Sequence, residues 1–254
     1  MKKSFICGLL LLLLHVPQAF VQEVADFEWE VNDRQNVAIT GYTGSNTEIT
    51  IPEVLDGMSV TRIRDSAFAN KNLTGISIPD SVTSIEPGAF AGNQLTRVNI
   101  PDSVTFIGAG AFSNNSLTDI TIPARLEAIA PGTFANNRLT SITIPDGVNA
   151  VYTGAFARNR LTGVNLPDSL GQIGAAAFAN NRLTGITVPG GARIEHGAFA
   201  GNPLTAITIG ANALLIWEVL GDNDSFDRAY TGGGRLAGTY TRPNAESMVW
   251  TRED

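Results

Sequence analysis

Apolar residues recur along the chain at a fixed step, with polar residues between them. The segment LTGISIPDSVTSIEPGAFAGNQ, residues 73–94, is followed by five related segments, the last of which is one residue shorter. The leading leucines of the repeats are separated by 22 residues, and once by 21: Leu73, Leu95, Leu117, Leu139, Leu161, Leu183 and Leu204. Self-similarity at this period predicts a solenoid with one coil per repeat.

Each repeat begins with an LxxIxI pattern that predicts a short parallel strand. Ile76 and Ile78 point into the coil and Ser77 points out, because strand side chains alternate. A proline then ends the strand, since it cannot donate a hydrogen bond to the sheet. The prolines recur with the coils: Pro52, Pro79, Pro101, Pro123, Pro145, Pro167 and Pro189.

The rest of the repeat predicts a second side without regular strands. Val82 and Ile85 point inward there, and an Ala-Phe pair closes the coil. Coils about 4.8 Å apart would stack the phenylalanines in an offset column. Its regular members are Phe90, Phe112, Phe134, Phe156 and Phe178. We therefore predict a mainly β repeat solenoid, a right-handed stack with parallel strands on one face and irregular segments on the other.

The segments outside the repeats predict caps that cover the open ends of the stack. Alternating aromatic and acidic residues indicate an N-terminal β cap over residues 21–48, and the solenoid is predicted over 49–209. Residues 210–254 predict a divergent coil and a small β cap. The aromatic residues near the exit, Trp217, Tyr230, Tyr240 and Trp250, would cover the last coil or form a shelf for stacking sugars.

Residues 1–20 have two lysines followed by an apolar run from Phe5 to Leu14. This run is too short to span a bilayer, which takes roughly 20 helical residues, and so it predicts a secretory signal peptide. Cys7, the only cysteine, lies in that run, so the mature chain would carry no disulfide. The protein is expected to be exported to the cell surface, the medium or the periplasm.

Charge and composition argue against several classes of function. The net charge is −7, and without Lys2 and Lys3 the remaining 15 basic and 24 acidic residues give −9. An acidic chain is a poor ligand for nucleic acid or anionic lipid. His196 is the one histidine outside the signal segment, and no phosphate-binding glycine loop or metal-ligand cluster is visible. We expect no catalytic site, metal or cofactor, and no integral membrane segment after signal cleavage.

The pattern LxxIxIPxxVxxIxxxAFxxN resembles the bacterial leucine-rich repeat class of BspA-like surface proteins, including those of treponemes. The entry stretch ITGYTG and the exit stretch AYTGGGRLAGTYT also resemble that family. The resemblance implies a secreted or surface-exposed protein, and several such proteins adhere to host matrix proteins or to other bacteria. It brings no catalytic residues with it.

In leucine-rich repeats the outward side of the strands is the usual ligand platform, so we name the outward residues here the strand face. They are small and mostly polar, which suits a broad protein ligand better than a deep small-molecule pocket. A merely solvated surface is the alternative. The tentative binding residues are Arg97, Asn99, Asp119, Thr121, Ser141, Thr143, Asn165 and Thr187.

Two further columns come from equivalent positions of successive coils. Arg138, Arg160 and Arg182, here the arginine edge, would stack along one side and either remain screened by salt or bind a sulfated glycan or acidic protein. The asparagine column is predicted to be structural, with inward side chains bonded to loop backbone. It comprises Asn93, Asn115, Asn137, Asn159 and Asn181.

These features together predict a protein-binding solenoid that adheres to host matrix or cell-envelope components. The partner would be a protein, possibly of the host extracellular matrix, or a glycan. The alternative is a periplasmic structural or scaffolding protein without a host ligand. The sequence leaves the oligomeric state open.

Overall fold

The computed structural model describes residues 24–32, 34–216, 218–221 and 226–253. The predicted signal peptide at 1–20, with Cys7, lies outside the described residues, as does Trp217. Within the described part of the chain, no helix has the length and apolar character needed to cross a membrane.

The entry cap is a hairpin joined to the first coil. After a short 3₁₀ turn at Val24–Asp26, β1 (Phe27–Val31) pairs antiparallel with β2 (Val37–Tyr42), which pairs parallel with β5 (Met58–Ile63). β4 (Val54–Leu55) forms a tight hairpin with β5. Asp56 and Gly57 connect them with φ angles of 50° and 74°, the left-handed conformation that a two-residue hairpin turn requires.

The LxxIxI segments form the first ladder of parallel strands. Its members are β3 (Glu48–Thr50), β6 (Gly75–Ser77), β10 (Ser141–Thr143), β12 (Gly163–Asn165), β14 (Gly185–Val188) and β16 (Ala206–Ile209). They pair as β3 with β6, β10 with β12 and β14 with β16. In the two coils between β6 and β10 only a single bridge, Ser77 to Asn99, belongs to this ladder. The inward side chains there, including Ile100 and Ile120, are nevertheless buried, so apolar packing keeps those coils in line.

The side predicted to be irregular carries a second ladder, which corrects that detail of the prediction. Two-residue strands follow one another: β7 (Ser84–Ile85), β8 (Phe106–Ile107), β9 (Ala128–Ile129), β11 (Ala150–Val151), β13 (Gln172–Ile173), β15 (Arg193–Ile194) and β17 (Leu214–Leu215). β5, β7 and β8 pair in one sheet. A second sheet contains β9, β11, β13, β15 and β17. A strand of two residues is too short to show alternation in the sequence, so its period could not be recognised.

The core confirms the predicted solenoid. The phenylalanine column runs from Phe68 to Phe199 with ring centroids 5.2–5.8 Å apart and interplanar angles of 4–16°. Its rings are almost completely buried, and Ile120 and Ile142 also face the interior. At the entry, Tyr42 lies 6.0 Å from Phe68, and Phe27 packs on both, so the hairpin covers the first ring.

The exit cap combines a helix with two strands, whereas the sequence predicted only a small sheet. α1 (Phe226–Gly232) is followed by β18 (Gly238–Thr241), which pairs antiparallel with β16, and by β19 (Thr251–Arg252). Phe226 and Tyr230 are one helical turn apart, and both are buried. This shared apolar face explains the helix, although the aromatic and threonine content of the segment favours strands.

Candidate functional site

The strand face is open to solvent along the stack. Ser141 and Thr143 lie on β10, Asn165 on β12 and Thr187 on β14, and all four are exposed. Their neighbours in the strands, such as Ile142 and Ile186, are buried, because alternate side chains point to opposite sides. Main-chain pairing of β10 with β12 thus fixes Ser141, Thr143 and Asn165 at the spacing of one strand, whereas β14 with Thr187 belongs to a different sheet.

The other half of the strand face lies where the first ladder is interrupted. Arg97, Asn99, Asp119 and Thr121 are exposed but fall outside the strands. The backbone there is held by Thr118, whose N–H donates to the C=O of Thr96 at 3.2 Å. The structure therefore gives two different halves. The half from Ser141 to Thr187 lies on strands, with pairing of β10 to β12, and the half with the two charged residues lies outside the strands.

A shallow groove of about 680 Å³ borders the regular half, where the strands end. Thr143 and Asn165 form one wall, and the turn residues that follow β10 and β12 form the rest. Those turn residues, which the prediction did not include as binding residues, are Pro145, Asp146, Gly147, Pro167 and Asp168, together with Ala124. Their signal in the sequence is the Pro-Asp pair directly after the strand.

The asparagine column ties each coil to the one before it. Asn137 is typical: its Nδ2 donates to the C=O of Phe112 at 2.9 Å and of Phe134 at 3.2 Å, while its Oδ1 accepts the N–H of Leu117 at 3.0 Å. The same pattern recurs at Asn93, Asn115, Asn159 and Asn181, all of them buried. These side chains satisfy buried backbone groups and present nothing to a ligand.

The arginine edge follows directly after the asparagine column. The N–H of Arg138, Arg160 and Arg182 donates to the leucine C=O of the preceding coil at 2.9–3.0 Å, so their backbones are aligned. The three side chains are exposed, and none forms an ion pair with a carboxylate among the described residues. Guanidinium groups repeated at the spacing of one coil give a local positive field on an acidic protein.

A charged cluster that the sequence did not indicate lies at the start of the second ladder. Glu86 is buried between Arg62 and Arg64, with N–O distances of 3.2 and 3.0 Å, and Arg64 also contacts Glu30 at 3.2 Å. The hydrogen bond from Arg64 to Glu86 raises the pKa of Arg64 above its ordinary value. The cluster joins the entry hairpin to the first two coils and is satisfied internally.

The exit aromatics do not form the sugar-stacking shelf that the sequence left open. Tyr230, Tyr240 and Trp250 are buried against the last coil and against Phe226. The Tyr230 hydroxyl accepts the N–H of Ala213 at 3.1 Å and donates to the C=O of Gly210 at 3.2 Å. These rings therefore close the stack.

Within the described residues, no group of three or more histidine, cysteine, aspartate or glutamate side chains could hold a metal ion. His196 is exposed on a turn between coils. The strand face with its groove and the arginine edge are two polar surfaces exposed to solvent among the described residues.

Comparison with known proteins gives a family and a fold. The family model described as "BspA type Leucine rich repeat region" matches in six copies, over residues 61–184 and 107–217. A solved structure of a leucine-rich cell surface protein from Faecalibacterium prausnitzii is 34% identical with a TM-score of 0.65. That match covers 77% of this chain and 55% of the other, so the chain spans about half the length of that protein.

Two further solved structures share the fold. A Treponema pallidum leucine-rich repeat protein is 23% identical with a TM-score of 0.53, and the match covers 62% of this chain and 87% of that one. A leucine-rich repeat protein from Bacteroides ovatus is 22% identical with the same TM-score, over 78% and 67% of the two chains. Comparison with curated proteins gave no significant match.

Proposed function

Because the chain belongs to the family of bacterial BspA-type leucine-rich repeat proteins, we propose that it is an exported, surface-exposed protein that adheres to host matrix or cell-envelope components through its strand face. Solenoids of this family are typically binding or structural proteins rather than enzymes, and they are typically surface-exposed. The proposal concerns the chemistry of the ligand and the surface that binds it.

The observation that carries the proposal is the ordered row of small polar side chains from Ser141 to Thr187. Paired main chain holds Ser141 and Thr143 beside Asn165 in adjacent coils, and Thr187 follows on β14 in a separate sheet. The groove beside Thr143 and Asn165 is shallow. A flat, preorganised polar surface with accessible main chain binds a protein of matching shape at low cost in conformational entropy. This surface is too open to enclose a small molecule.

The arginine edge supplies a second, electrostatic component. Long side chains with unpaired guanidinium groups favour acidic ligands and speed their encounter, and salt screens this effect. We place sulfated glycans and acidic proteins among the ligands that this edge would hold. Replacing Arg138, Arg160 and Arg182 together by glutamine is expected to weaken binding of heparin and to flatten its salt dependence.

The test is a binding screen of the purified protein on immobilised collagen, fibronectin, laminin and heparin. A variant with Thr121, Thr143 and Asn165 changed to lysine places charge and bulk on the strand face and is expected to lose at least tenfold in affinity for the matrix protein. The matched control changes Thr83, Ala109 and Asn149, which are exposed elsewhere on the coils, to lysine and adds the same charge. Equal binding by both variants would remove the strand face as the site.

Protease treatment of intact cells tests the location. Degradation of the protein supports display at the surface. Protection, together with degradation after the outer envelope is opened, would favour the periplasmic scaffolding role and contradict adhesion to a host.

A further inference from the structure

The second ladder is interrupted at one place, between β8 and β9. On one side of this gap Thr105 N–H donates to the C=O of Thr83, and on the other Asn149 N–H donates to the C=O of Glu127, each at 2.9 Å. The corresponding bonds between the coils of β8 and β9 are not formed in the described part of the chain, and the two strands belong to different sheets. Backbone donors and acceptors are therefore left without ladder partners along the gap.

Two exposed aromatic side chains lie near this gap, one at its edge and one in the coil that follows β9. Phe106, on β8, is 49% exposed, and Tyr152, two coils further on, is 39% exposed. Ala128 and Ala130 lie between them, and their small side chains leave open space between the two rings. Neither ring stacks on another aromatic ring among the described residues.

Other coils show that the fold does not need aromatic residues at these positions. The position of Phe106 is occupied elsewhere by Ser84, Ala128, Ala150, Gln172 and Arg193. The position of Tyr152 is occupied elsewhere by Glu86, Gly108, Ala130, Gly174 and Glu195. An exposed phenyl ring and an exposed phenol ring are thus departures from the repeat, and both line the same groove.

The gap and the rings form a groove of about 600 Å³ with both apolar and polar walls. Its apolar walls are Phe106, Tyr152 and the two alanines, and its polar walls include Thr105, Arg125 and Glu127. One arginine and one glutamate balance each other in charge, so the groove favours an uncharged ligand with donors and acceptors. This charge pattern differs from that of the arginine edge.

We propose that this groove, here the aromatic groove, binds a neutral oligosaccharide. A sugar ring has apolar C–H faces, which pack on aromatic rings, and hydroxyl groups at its edge, which both donate and accept. Two coil spacings of about 4.8 Å, combined with an offset of two residues of about 3.3 Å each along the strand, give roughly 12 Å between the backbones that carry the aromatic side chains. A ring held at van der Waals distance of about 3.5–4.0 Å from each aromatic side chain needs roughly 7–8 Å, so one sugar unit fits between them. Its hydroxyls can bond Arg125, Glu127 and the unpaired backbone groups of the gap.

The occupant is a sugar and not a peptide strand because the gap is closed on both sides by paired coils. β8 is paired with β7, and β9 is paired with β11, so an added strand would have to lie between two coils of the same stack. Hydroxyl groups on a ring can reach single backbone groups from above the groove. This inference concerns the second ladder and does not depend on binding by the strand face.

The test is calorimetric titration of the purified protein with cellohexaose, chitohexaose and maltohexaose. At least one of these is expected to bind, and Phe106→Ser and Tyr152→Ala, which install residues found at equivalent positions in other coils, are each expected to weaken it at least tenfold. Leu214→Ser, on the same ladder at β17, is the matched control and should bind like the original protein. Thermal unfolding of each variant shows that the stack is intact.

Binding by none of the three sugars would overturn the proposal. So would binding by the two aromatic variants that equals binding by the original protein. Binding of a proline-rich peptide that is lost in both aromatic variants, without sugar binding, would also overturn it and assign the groove to peptides. The strand-face lysine variant should bind the sugar normally. Failure of the aromatic groove can therefore be distinguished from failure of the strand face.

Discussion

The phenylalanine column and the exit cluster, formed by Phe226, Tyr230, Tyr240 and Trp250, bury most of the large rings among the described residues and differ in ring geometry. In the column, neighbouring rings are nearly parallel, at 4–16°. In the exit cluster, three ring pairs meet edge to face, at 70–88° and 5.3–5.9 Å. The fourth pair, Phe226 and Tyr230 on the same helix, is nearly parallel at 13° and 6.2 Å. Aromatic pairs accept both offset-stacked and edge-to-face arrangements, so the choice is made by the backbone.

The difference shows what repetition imposes. Each coil carries its phenylalanine at the same position, so translation along the stack makes the rings parallel. At the exit the translation stops, and rings from a helix, a strand and the C-terminal segment converge on the last coil from different directions. Arg242 also joins them, with its guanidinium 4.7 Å from the centre of the Trp250 ring. The column is therefore a property of the repeat, and the exit cluster is a property of one sequence segment.

Truncating one ring in each cluster gives the largest expected effect. Phe134→Ala should lower the free energy of unfolding by about 3–5 kcal/mol, because a ring that packs on both sides leaves a cavity. Phe226→Ala should release the exit cluster while the central amides keep most of their protection. Urea unfolding measures the first change and amide hydrogen exchange the second. Equal loss of protection in the centre of the stack for both variants would show that the two clusters unfold as one unit.

A smaller effect on stability is expected in the asparagine column, where a buried asparagine can be compared with an exposed one. Asn137→Ala leaves the N–H of Leu117 without its partner, while the C=O groups of Phe112 and Phe134 keep their hydrogen bonds from Asn115 and Asn159. The substitution should therefore cost about 1–3 kcal/mol. Asn99→Ala, on the exposed strand face, should change stability by less than about 0.5 kcal/mol. Both are measured by urea unfolding. A similar small effect for the two would mean that water replaces the side chain in the column.

The smallest expected effect is the pH dependence of stability at the exit cluster. Burial raises the pKa of Asp227, at the start of α1, although the backbone N–H groups of Glu218 and Val219 donate to its carboxylate and partly offset this. Its Oδ1 lies buried without a hydrogen-bond partner among the described residues. Because the folded-state pKa lies above the unfolded-state value, the contribution of Asp227 to stability is full below the unfolded-state pKa and is lost as the pH rises through the folded-state pKa.

Acidification through this range should therefore strengthen docking of α1, and Asp227→Asn should remove that part of the pH dependence. The measurement is hydrogen exchange of the amides of Phe226–Gly232 in the two proteins at pH values from 7 down to 4. Parallel pH profiles would show that the carboxyl group is ionised without penalty. The phenylalanine column, which has no titratable group, serves as the internal reference.

Much of the exposed strand face could be located from the sequence, because strand alternation determines which side chains point outward. Thr143 and Asn165 were placed on the exposed face by the buried isoleucines beside them. The groove at the strand ends was missed, since it depends on how the Pro-Asp turns of adjacent coils lie against each other. The aromatic groove was missed for a similar reason: Phe106 and Tyr152 are 46 residues apart and occupy different positions of their repeats.

The repeat period alone determined the stack, the inward leucines and isoleucines, the phenylalanine column and the asparagine positions, because identical coils can bury their apolar residues only against one another. The tertiary structure decided what the period does not contain: the second ladder, the gap between β8 and β9, and the helix at the exit. Two-residue strands and unpaired backbone groups exist only once neighbouring coils are in place, and a cap is shaped by the surface it covers. The local pattern specifies which side chains each coil must bury. Contacts between coils specify which backbone segments pair in ladders and which remain unpaired.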